Sequence, residues 1–350
     1  MTGKTRTLPA LAEKIRNGYR ISRADLDEWK DLFLHSDVEE LLDEAGKLQK
    51  RFCGNLVDLC SIINGRSGRC SEDCKYCAQA KCNHTGVDEY GFLPREQIFA
   101  AAEANEKAGV NRFSIVTAGR ALKGREFDEA IAAYQEMHAR LHIDLCASMG
   151  FLDAEQFRRL REAGVTSYHH NIETSRRYFP RICTTHTFED KIRTIRIAKQ
   201  EGLCVCSGGI IGMGEDWDDR FDMAITLAEL GIESIPINAL MPIPGTPLEH
   251  RPRISAEDVL RTFGIFRFLN PTANIRLAAG RAILPGTGAT VLGRGASASI
   301  TGDMLTTAGA ATIARDKQML RELGLTNRRE DAVFPQVLVE EYEASLSPEC

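Results

Sequence analysis

From residue 56 onward the sequence alternates short apolar segments with amphipathic segments of helical length, and this alternation allows few folds. Eight strands are predicted, at residues 56–63, 112–117, 144–149, 167–173, 204–211, 234–240, 274–280 and 297–302. Helices are predicted between most of them, at residues 94–108, 127–141, 154–163, 188–201, 217–230 and 256–269. Alternating strands and helices are typical of a parallel sheet, and eight units favour an α/β fold of the (β/α)8 TIM-barrel type. The functional site of such a barrel lies at the carboxyl ends of its strands.

The residues before and after the barrel are predicted to form helices outside it. Residues 8 to about 48 show amphipathic helical periodicity, with a candidate helix cap at residues 22–25. One more helix is expected near the C-terminus, at residues 315–323, before an acidic and peripheral end. The predicted division is an N-terminal helical extension over residues 1–50, a barrel over 51–306, and a C-terminal helix and tail over 307–350.

Three cysteines follow the first predicted strand at C-x3-C-x2-C spacing: Cys70, Cys74 and Cys77. Thiolates suit iron–sulfur clusters and zinc. A [4Fe–4S] cluster normally takes four cysteines, so three leave one iron open to chelate the amino and carboxylate groups of S-adenosyl-L-methionine (SAM). The spacing, with aromatic Tyr76 before the last cysteine, resembles the signature of the radical SAM superfamily. A structural zinc site is the alternative, but it normally needs four ligands, and no second pair of cysteines or histidines follows at suitable spacing.

Composition limits which kinds of partner the protein can bind and indicates the cellular compartment in which it works. The chain has 350 residues, 43% of them hydrophobic, which is enough for a large core. A net charge of −5 and a pI near 6.0 argue against nucleic acid as the main partner. The sequence has no long apolar run typical of a membrane span and no apolar core of a signal peptide at its start. Eleven cysteines without such a signal indicate metal ligation in a reducing cytoplasm.

Longer segments resemble the biotin synthase family. They are Tyr-His-His-Asn-Ile-Glu-Thr-Ser at 168–175, Cys-Ser-Gly-Gly-Ile at 206–210, Ser-Ile-Pro-Ile-Asn at 234–238, Gly-Thr-Pro-Leu at 245–248 and Ile-Arg-Leu-Ala-Ala-Gly-Arg at 275–281. The resemblance runs over roughly residues 50 to 305, in the family's order. It implies a radical SAM sulfurtransferase that converts dethiobiotin to biotin, with sulfur supplied by a second, auxiliary iron–sulfur cluster. It also implies a low-potential electron donor such as flavodoxin or ferredoxin, and a homodimer.

The resemblance assigns several residues to SAM. Tyr76 would lie beside the adenine, although a packing aromatic is the alternative. Glu173 occupies a position that is usually aspartate and would bind the ribose hydroxyls. Lys191 stands where the family has an arginine near the SAM carboxylate, with a solvated helix lysine as the alternative. Gly208 and Gly209 would allow close approach of the methionyl end, or else form a bulge at the barrel rim.

Two asparagines are assigned to the substrate. The resemblance places Asn171 at the ureido group of dethiobiotin and gives Asn238 a similar substrate contact. Asn171 and Glu173 are predicted to share one face of the fourth strand, because side chains alternate with a period of two. His169 stands where the family commonly has asparagine and is predicted to be an ordinary polar residue.

The auxiliary cluster is where the sequence departs from the family. The usual biotin synthase holds a [2Fe–2S] cluster with three cysteines and one arginine. Cys146, Cys206 and Arg276 match three of those positions, but Ser114 replaces the remaining cysteine. A neutral hydroxyl is a poor iron ligand beside a thiolate. The usual cluster therefore cannot form with its usual ligands.

Cys60, on the first strand, is the predicted substitute. We expect Cys60, Cys146 and Cys206 to bind the auxiliary cluster, and three cysteines suit a larger [4Fe–4S]-type cluster with an extra sulfide. A branch of the family from anaerobes is expected to be built this way. The alternatives are that Cys60 is a small buried hydrophobe and that Cys82 is the ligand. Arg276 would then be a ligand of the cluster or a hydrogen-bonding neighbour.

Most of the remaining cysteines are not predicted to be metal ligands. Cys204 shares the inward face with Cys206 and is expected to pack, with a smaller chance of ligation. Cys53, Cys183 and Cys350 are predicted to be incidental.

Two other functions are compatible with parts of the pattern. One is another radical SAM enzyme of the same branch, such as a hydrogenase-cofactor maturase or an amino-acid mutase. Such relatives are expected to lack the two asparagines together with Cys146 and Cys206. The other is a zinc-stabilised barrel that acts as a scaffold.

Overall fold

A computed structural model describes residues 6–302 and 312–333 of the chain. Its strands are β1 (Asp58–Arg66), β2 (Arg112–Thr117), β3 (Asp144–Ser148), β4 (Ser167–His169), β5 (Cys204–Cys206), β6 (Gly209–Ile211), β7 (Ser234–Ala239), β8 (Asn274–Leu277) and β9 (Ala298–Ile300). All strand pairings are parallel, in the order β5-β4-β3-β2-β1-β9-β8-β7-β6. The barrel closes because β5 also pairs with β7, through Cys206 and Ser234. Since β5 and β6 are halves of one interrupted strand, the predicted eight-stranded parallel barrel is confirmed.

Helices surround this barrel. They are α1 (Leu8–Arg16), α2 (Asp27–His35), α3 (Val38–Cys53), α4 (Arg95–Lys107), α5 (Gly124–Arg140), α6 (Ala154–Glu162), α7 (Phe188–Gln200), α8 (Trp217–Glu229), α9 (Ala256–Leu269) and α10 (Ile313–Glu322). Their apolar faces are buried, as with Phe127 and Tyr134 on α5. The N-terminal helices pack on the outside, where Leu41 of α3 fills the space that a side chain at Gly264 of α9 would need. None of the helices in the described residues is long and apolar enough to span a bilayer.

Several strands are shorter than the sequence predicts, and two of these differences bear on the site. The predicted strand 167–173 ends at His169, and Glu173 has a left-handed backbone with φ of 70°. The predicted strand 204–211 is interrupted after Cys206 and resumes at Gly209. The expectation that Asn171 and Glu173 share one strand face is therefore wrong.

The C-terminal segment is attached to the barrel by a buried ion pair. Arg281 donates to both carboxylate oxygens of Asp316 on α10, at 3.0 and 2.8 Å, and both side chains are almost fully buried. Helix α10 corresponds to the predicted helix at residues 315–323. The predicted acidic end and Cys350 lie outside the described residues, and the domain division at residues 50 and 306 stays a prediction.

Helix α6 begins with a capping box that can be tested separately from the site. Asp153 accepts a hydrogen bond from the Gln156 backbone at 2.9 Å, and the Gln156 side chain accepts one from the Asp153 backbone at 3.2 Å. Asp153→Ala should lower the free energy of unfolding by about 1 kcal/mol, because backbone donors lose their acceptor. Urea unfolding followed by circular dichroism measures this. Asp153→Ser keeps an acceptor and should stay close to wild type; equal losses in both variants would contradict the prediction.

Candidate active site

The barrel encloses a cavity of about 220 Å³. A single water needs only about 10–15 Å³ measured this way, so the space suits a much larger guest. Thiols, amides and hydroxyls contribute to its wall, together with the arginine predicted at the auxiliary cluster. The predicted site residues that line it are Cys60, Ser114, Cys146, Asn171, Cys206, Asn238 and Arg276. The structure therefore brings both predicted substrate residues and all predicted auxiliary-cluster residues to one cavity.

The three thiols predicted to bind the auxiliary cluster, Cys60, Cys146 and Cys206, come from β1, β3 and β5 and differ in acidity. Burial raises the pKa of Cys60 to about 12 and that of Cys146 to about 11. Burial also acts on Cys206, but the charge and hydrogen bond of His169, whose Nδ1 lies 3.4 Å from the sulfur, outweigh it and lower the pKa to about 7. The negative charge of Cys206 in turn raises the pKa of Cys146, and that of Cys146 raises the pKa of Cys60. The thiols therefore lie within electrostatic reach of one another.

The spacing of these thiols is too wide for a single metal ion. Across residues 6–302 and 312–333, the one group of three potential ligands whose ligand atoms all lie within 4.8 Å contains none of the cavity thiols. Ligands of one tetrahedral ion lie only about 3.8 Å apart. At least one pair of these sulfurs therefore lies more than 4.8 Å apart, which suits a guest with several metal centres better than a single ion.

Arg276 is held by protein groups on all three of its nitrogens. It forms an ion pair with the Asp58 carboxylate and donates to the carbonyls of Asp58 and Ser299 at 3.1 and 3.3 Å. Its Nε donates to Ser234 Oγ at 3.3 Å. Burial lowers the pKa of Arg276, but the charge of Asp58 outweighs it and the pKa is raised. A guanidinium that stays protonated has no lone pair for iron, so this geometry favours a neighbouring role over ligation.

Ser114 occupies the wall without a hydrogen-bond partner. It lies opposite Cys146 in the β2–β3 register, and its buried hydroxyl makes no hydrogen bond of ordinary length, although it lies near enough to the Cys146 sulfur to act on the pKa of that thiol. An unpaired buried hydroxyl is costly in an empty apolar space. The position therefore fits a polar guest in the cavity.

The cysteine motif forms a compact loop between β1 and α4. Asn83 donates to the carbonyls of Cys74 and Cys77 at 3.3 and 2.8 Å, and Lys81 donates to the carbonyl of Cys70 at 2.8 Å. All three cysteines are partly exposed. Burial raises the pKa of Cys77 to about 11. Hydrogen bonds to its carbonyls thus hold the backbone of the loop in place.

A buried carboxylate faces this loop. Glu173 is 9% exposed, its Oε1 lies 3.6 Å from Lys191 Nζ, and its Oε2 has no partner. Tyr76 lies beside it: burial, then the charges of Glu173 and Cys74, raise the tyrosine pKa well above its ordinary value. Lys191 is 7% exposed, so the alternative of a solvated helix lysine is wrong. Oε2 makes no hydrogen bond of ordinary length, although the Tyr76 hydroxyl lies near enough to this carboxylate to act on its own pKa, so a further hydroxyl donor fits there.

The predicted glycines and asparagines make close contacts or hydrogen bonds with backbone groups at the strand ends. A Cβ at Gly208 would collide with the carbonyl of Pro236, and one at Gly209 with the carbonyl of Glu173. The close approach predicted at these glycines is therefore made by the protein itself, and contact with SAM stays a prediction. Asn171 accepts from the Gly208 amide at 2.9 Å, and Asn238 bonds backbone groups through both its amide oxygen and nitrogen. Each amide keeps further bonding capacity for a ligand.

Sequence reasoning missed two residues beside the motif. Cys183, predicted to be incidental, has its sulfur 3.9 Å from that of Cys74, and His186 lies 2.5 Å from Glu72. The C-x2-H spacing at 183–186 was an available signal.

The structure also gives His169 a role that the sequence did not indicate, since its ring lies within hydrogen-bond distance of the Cys206 sulfur. Cys82 is exposed and is not among the residues lining the cavity, whereas Cys204 is buried and lines it.

Comparison with known proteins gives two family models and close relatives. The radical SAM superfamily model matches residues 66–228, and the biotin and thiamin synthesis associated domain matches residues 236–326. A biotin synthase from Clostridium beijerinckii is 56% identical, covering 90% of this chain and 99% of that protein. A biotin synthase from Alkaliphilus metalliredigens is 52% identical, covering 90% and 98%.

Among solved structures, methylornithine synthase superposes with a TM-score of 0.78 at 20% identity, covering 96% of this chain and all of that one. HydG, a maturase of the [FeFe]-hydrogenase, superposes with a TM-score of 0.75 at 16% identity, covering 92% and 76%. At such identities the likeness concerns the fold alone. The sequence relatives, which align over almost their full length, give the more specific assignment.

Proposed function

This chain belongs to the biotin synthase family of radical SAM enzymes, and we propose that it converts dethiobiotin to biotin by sulfur insertion. The observation that supports this most directly is the shared cavity, in which three thiols and two asparagine amides meet inside one barrel. A sulfur source and a saturated substrate must lie close together for insertion, because proximity supplies much of the rate. A barrel that acted only as a zinc-stabilised scaffold would not need thiols and amides around an internal cavity.

Cys70, Cys74 and Cys77 would hold a [4Fe–4S] cluster, and the adjacent groups fit SAM. When bound, cluster and SAM supply the one-electron chemistry that activates an inert C–H bond. Glu173 would accept from the ribose hydroxyls through its unpaired Oε2, while Lys191 balances its charge. Tyr76 beside Glu173 would flank the adenine, and Gly208 with Gly209 would shape the floor below the methionyl end.

Cys60, Cys146 and Cys206 would hold the auxiliary cluster. Three thiols spaced too widely for one ion suit a polynuclear guest, and the family's fourth cysteine position is Ser114. We propose a four-iron cluster with an extra sulfide as sulfur donor, in place of the family's [2Fe–2S] cluster. Arg276 would balance the negative charge of this cluster as a neighbour, since its nitrogens already bond protein acceptors.

Asn171 and Asn238 would bind the ureido group of dethiobiotin. A ureido group presents both N–H donors and a carbonyl acceptor, and each amide side chain offers both counterparts. Both asparagines line the cavity and are oriented by bonds to the strand ends. The substrate would thereby lie over the auxiliary thiols.

The remaining partners are proposed from the family. We expect a low-potential electron donor such as flavodoxin or ferredoxin, a homodimer, and function in the reducing cytoplasm.

The direct experiment is an anaerobic assay of the reconstituted full-length chain. Dethiobiotin, SAM and a low-potential reductant should yield biotin and 5′-deoxyadenosine, and Cys77→Ala should yield neither. Cleavage of SAM without biotin would favour a maturase or mutase activity. Purified protein that binds zinc and takes up no iron would instead favour a scaffold.

A further inference from the structure

Three exposed cations lie on the segments that meet at the rim of the barrel beside the cysteine motif. Lys75 lies within the motif, Arg181 in the loop after β4 and Arg251 in the loop after β7. All three residues are exposed to solvent. We call this set of three residues the basic rim.

Backbone hydrogen bonds hold the three segments side by side. Lys75 donates its backbone N–H to the carbonyl of Ile182 at 3.0 Å, next to Arg181. His84, which follows the motif, donates its backbone N–H to the carbonyl of Gly245 in the loop after β7, also at 3.0 Å. The motif loop therefore contacts both of the loops that carry the arginines.

Tyr178 lies beside both arginines of the basic rim. The guanidinium of Arg181 lies 5.6 Å from the centre of the Tyr178 ring. A Cβ at Gly214 would meet both the Arg251 guanidinium and the Tyr178 hydroxyl, so these two groups are neighbours as well. Burial raises the pKa of Tyr178, and the charges of Arg251 and Arg181 both oppose that rise. The two cations therefore act on the same side chain and form one positive surface.

The charges of the basic rim are not neutralised by acidic side chains of the described residues. Across residues 6–302 and 312–333, none of its three members forms an ion pair. Acids nearby are bonded to other groups: Glu189 pairs with Arg176, Asp73 accepts from the backbone of the loop after β4 at 2.8 Å, and Glu249 accepts from the backbone of Gly245 at 2.7 Å. Since the whole chain has a net charge of −5, the basic rim is a local exception to its overall charge.

The basic rim lies close to the cysteines proposed to hold the SAM cluster. Lys75 directly follows Cys74 in the chain. Arg181 is two residues from Cys183, whose sulfur lies 3.9 Å from that of Cys74. A protein bound at the basic rim would therefore bring its own redox centre near this cluster.

We propose that the basic rim is the docking surface for an acidic electron-carrier protein that reduces the SAM cluster. Complementary charge speeds the encounter of two proteins and orients them. Electron-transfer encounters bury little area, so a few unneutralised charges can guide one. The step moves one electron: the carrier is oxidised, the cluster is reduced, and no bond or proton changes. This inference rests on the proposed SAM cluster, which needs a source of single electrons.

Ferredoxin, a small acidic iron–sulfur protein, is the probe. Calorimetric titration of the cluster-loaded full-length chain with oxidised ferredoxin gives the dissociation constant without turnover. Arg181→Glu/Arg251→Glu should weaken binding at least about tenfold, and Arg181→Gln/Arg251→Gln should weaken it less. Raising the salt concentration from about 0.05 M to about 0.5 M should weaken binding of the wild type more than that of the charge-reversed variant. The KM for reduced ferredoxin in SAM cleavage should rise in parallel, while the rate with dithionite stays at the wild-type value.

Lys107→Glu/Arg140→Glu is the matched control, because it changes the net charge equally at the carboxyl ends of α4 and α5, at the opposite end of the barrel. These side chains are 69% and 57% exposed, and the control should bind ferredoxin as the wild type does. Circular dichroism shows whether each variant is folded. Wild-type affinity in Arg181→Glu/Arg251→Glu, an equal loss in the control, or wild-type binding that salt does not weaken would each overturn the proposal. Failure of the biotin assay would leave the binding results unaffected.

Discussion

Replacing Cys60 with serine should remove the auxiliary cluster while the SAM cluster still forms. Cys60 lines the cavity with Cys146 and Cys206, and Ser114 leaves no other thiol at the family's usual position. A neutral hydroxyl does not replace a thiolate on iron. If each cluster has four irons, the iron and sulfide content of reconstituted protein should fall to about half. Biotin formation should be lost, while SAM cleavage to 5′-deoxyadenosine remains measurable.

The matched control for Cys60 is another buried cysteine outside the cavity. Cys53 donates to the carbonyl of Ala273 and lies 3.4 Å from the Arg267 guanidinium, so a serine hydroxyl there has an acceptor and a donor nearby. Cys53→Ser should therefore keep wild-type iron content. Unchanged iron and sulfide in Cys60→Ser would eliminate Cys60 as a ligand. Adding Ser114→Cys to Cys60→Ser tests whether a thiol on the neighbouring strand restores a cluster.

Glu173→Gln should weaken SAM binding to the cluster-loaded enzyme by about 10–100-fold, since hydrogen bonds to a charged group contribute about 1.5–3 kcal/mol. The substitution removes the charge that faces Lys191 at 3.6 Å and weakens the acceptor proposed for the ribose hydroxyls. It also leaves a buried ammonium without its counter-charge. Equilibrium dialysis with labelled SAM measures the dissociation constant directly.

Glu173→Asp is the informative comparison because it keeps the charge and introduces the family's usual residue. The φ of 70° at this position is a conformation that aspartate tolerates well, so no backbone penalty is expected. SAM affinity should stay within a few-fold of wild type. Wild-type affinity in Glu173→Gln, with a normal cluster, would remove Glu173 from the SAM site.

Local patterns were sufficient for the barrel and for the cluster motif. Strand β2 and helix α9 have the bounds that periodicity predicts, because an apolar face repeats within a few neighbouring residues. The C-x3-C-x2-C spacing places three sulfurs in one short loop regardless of the surrounding fold. The prediction that Cys60 and Cys206 meet required only strand order and alternation in a closed barrel.

Contacts between distant segments were beyond such patterns. Nothing near Cys183 in the sequence indicates Cys74, which is 109 residues away and reaches it because the loops after β1 and β4 meet at one rim. Glu173 leaves the strand through a left-handed backbone that alternation does not predict. The ion pair with Asp58 decides the bonding of Arg276, and that pair depends on β1 and β8 both flanking β9.

The sequence by itself determined three features. The barrel follows from short-range periodicity, the cluster loop from the spacing of three cysteines, and the family from segments that match its members. Only the tertiary structure decided which buried groups are paired. It left Glu173 Oε2 and Ser114 Oγ without a hydrogen bond of ordinary length and gave each nitrogen of Arg276 a protein acceptor. It also placed Cys183 beside Cys74 of the motif. The physical reason is that hydrogen bonding and desolvation depend on which groups barrel closure brings within about 3 Å, and that distance is not encoded in the local order of residues.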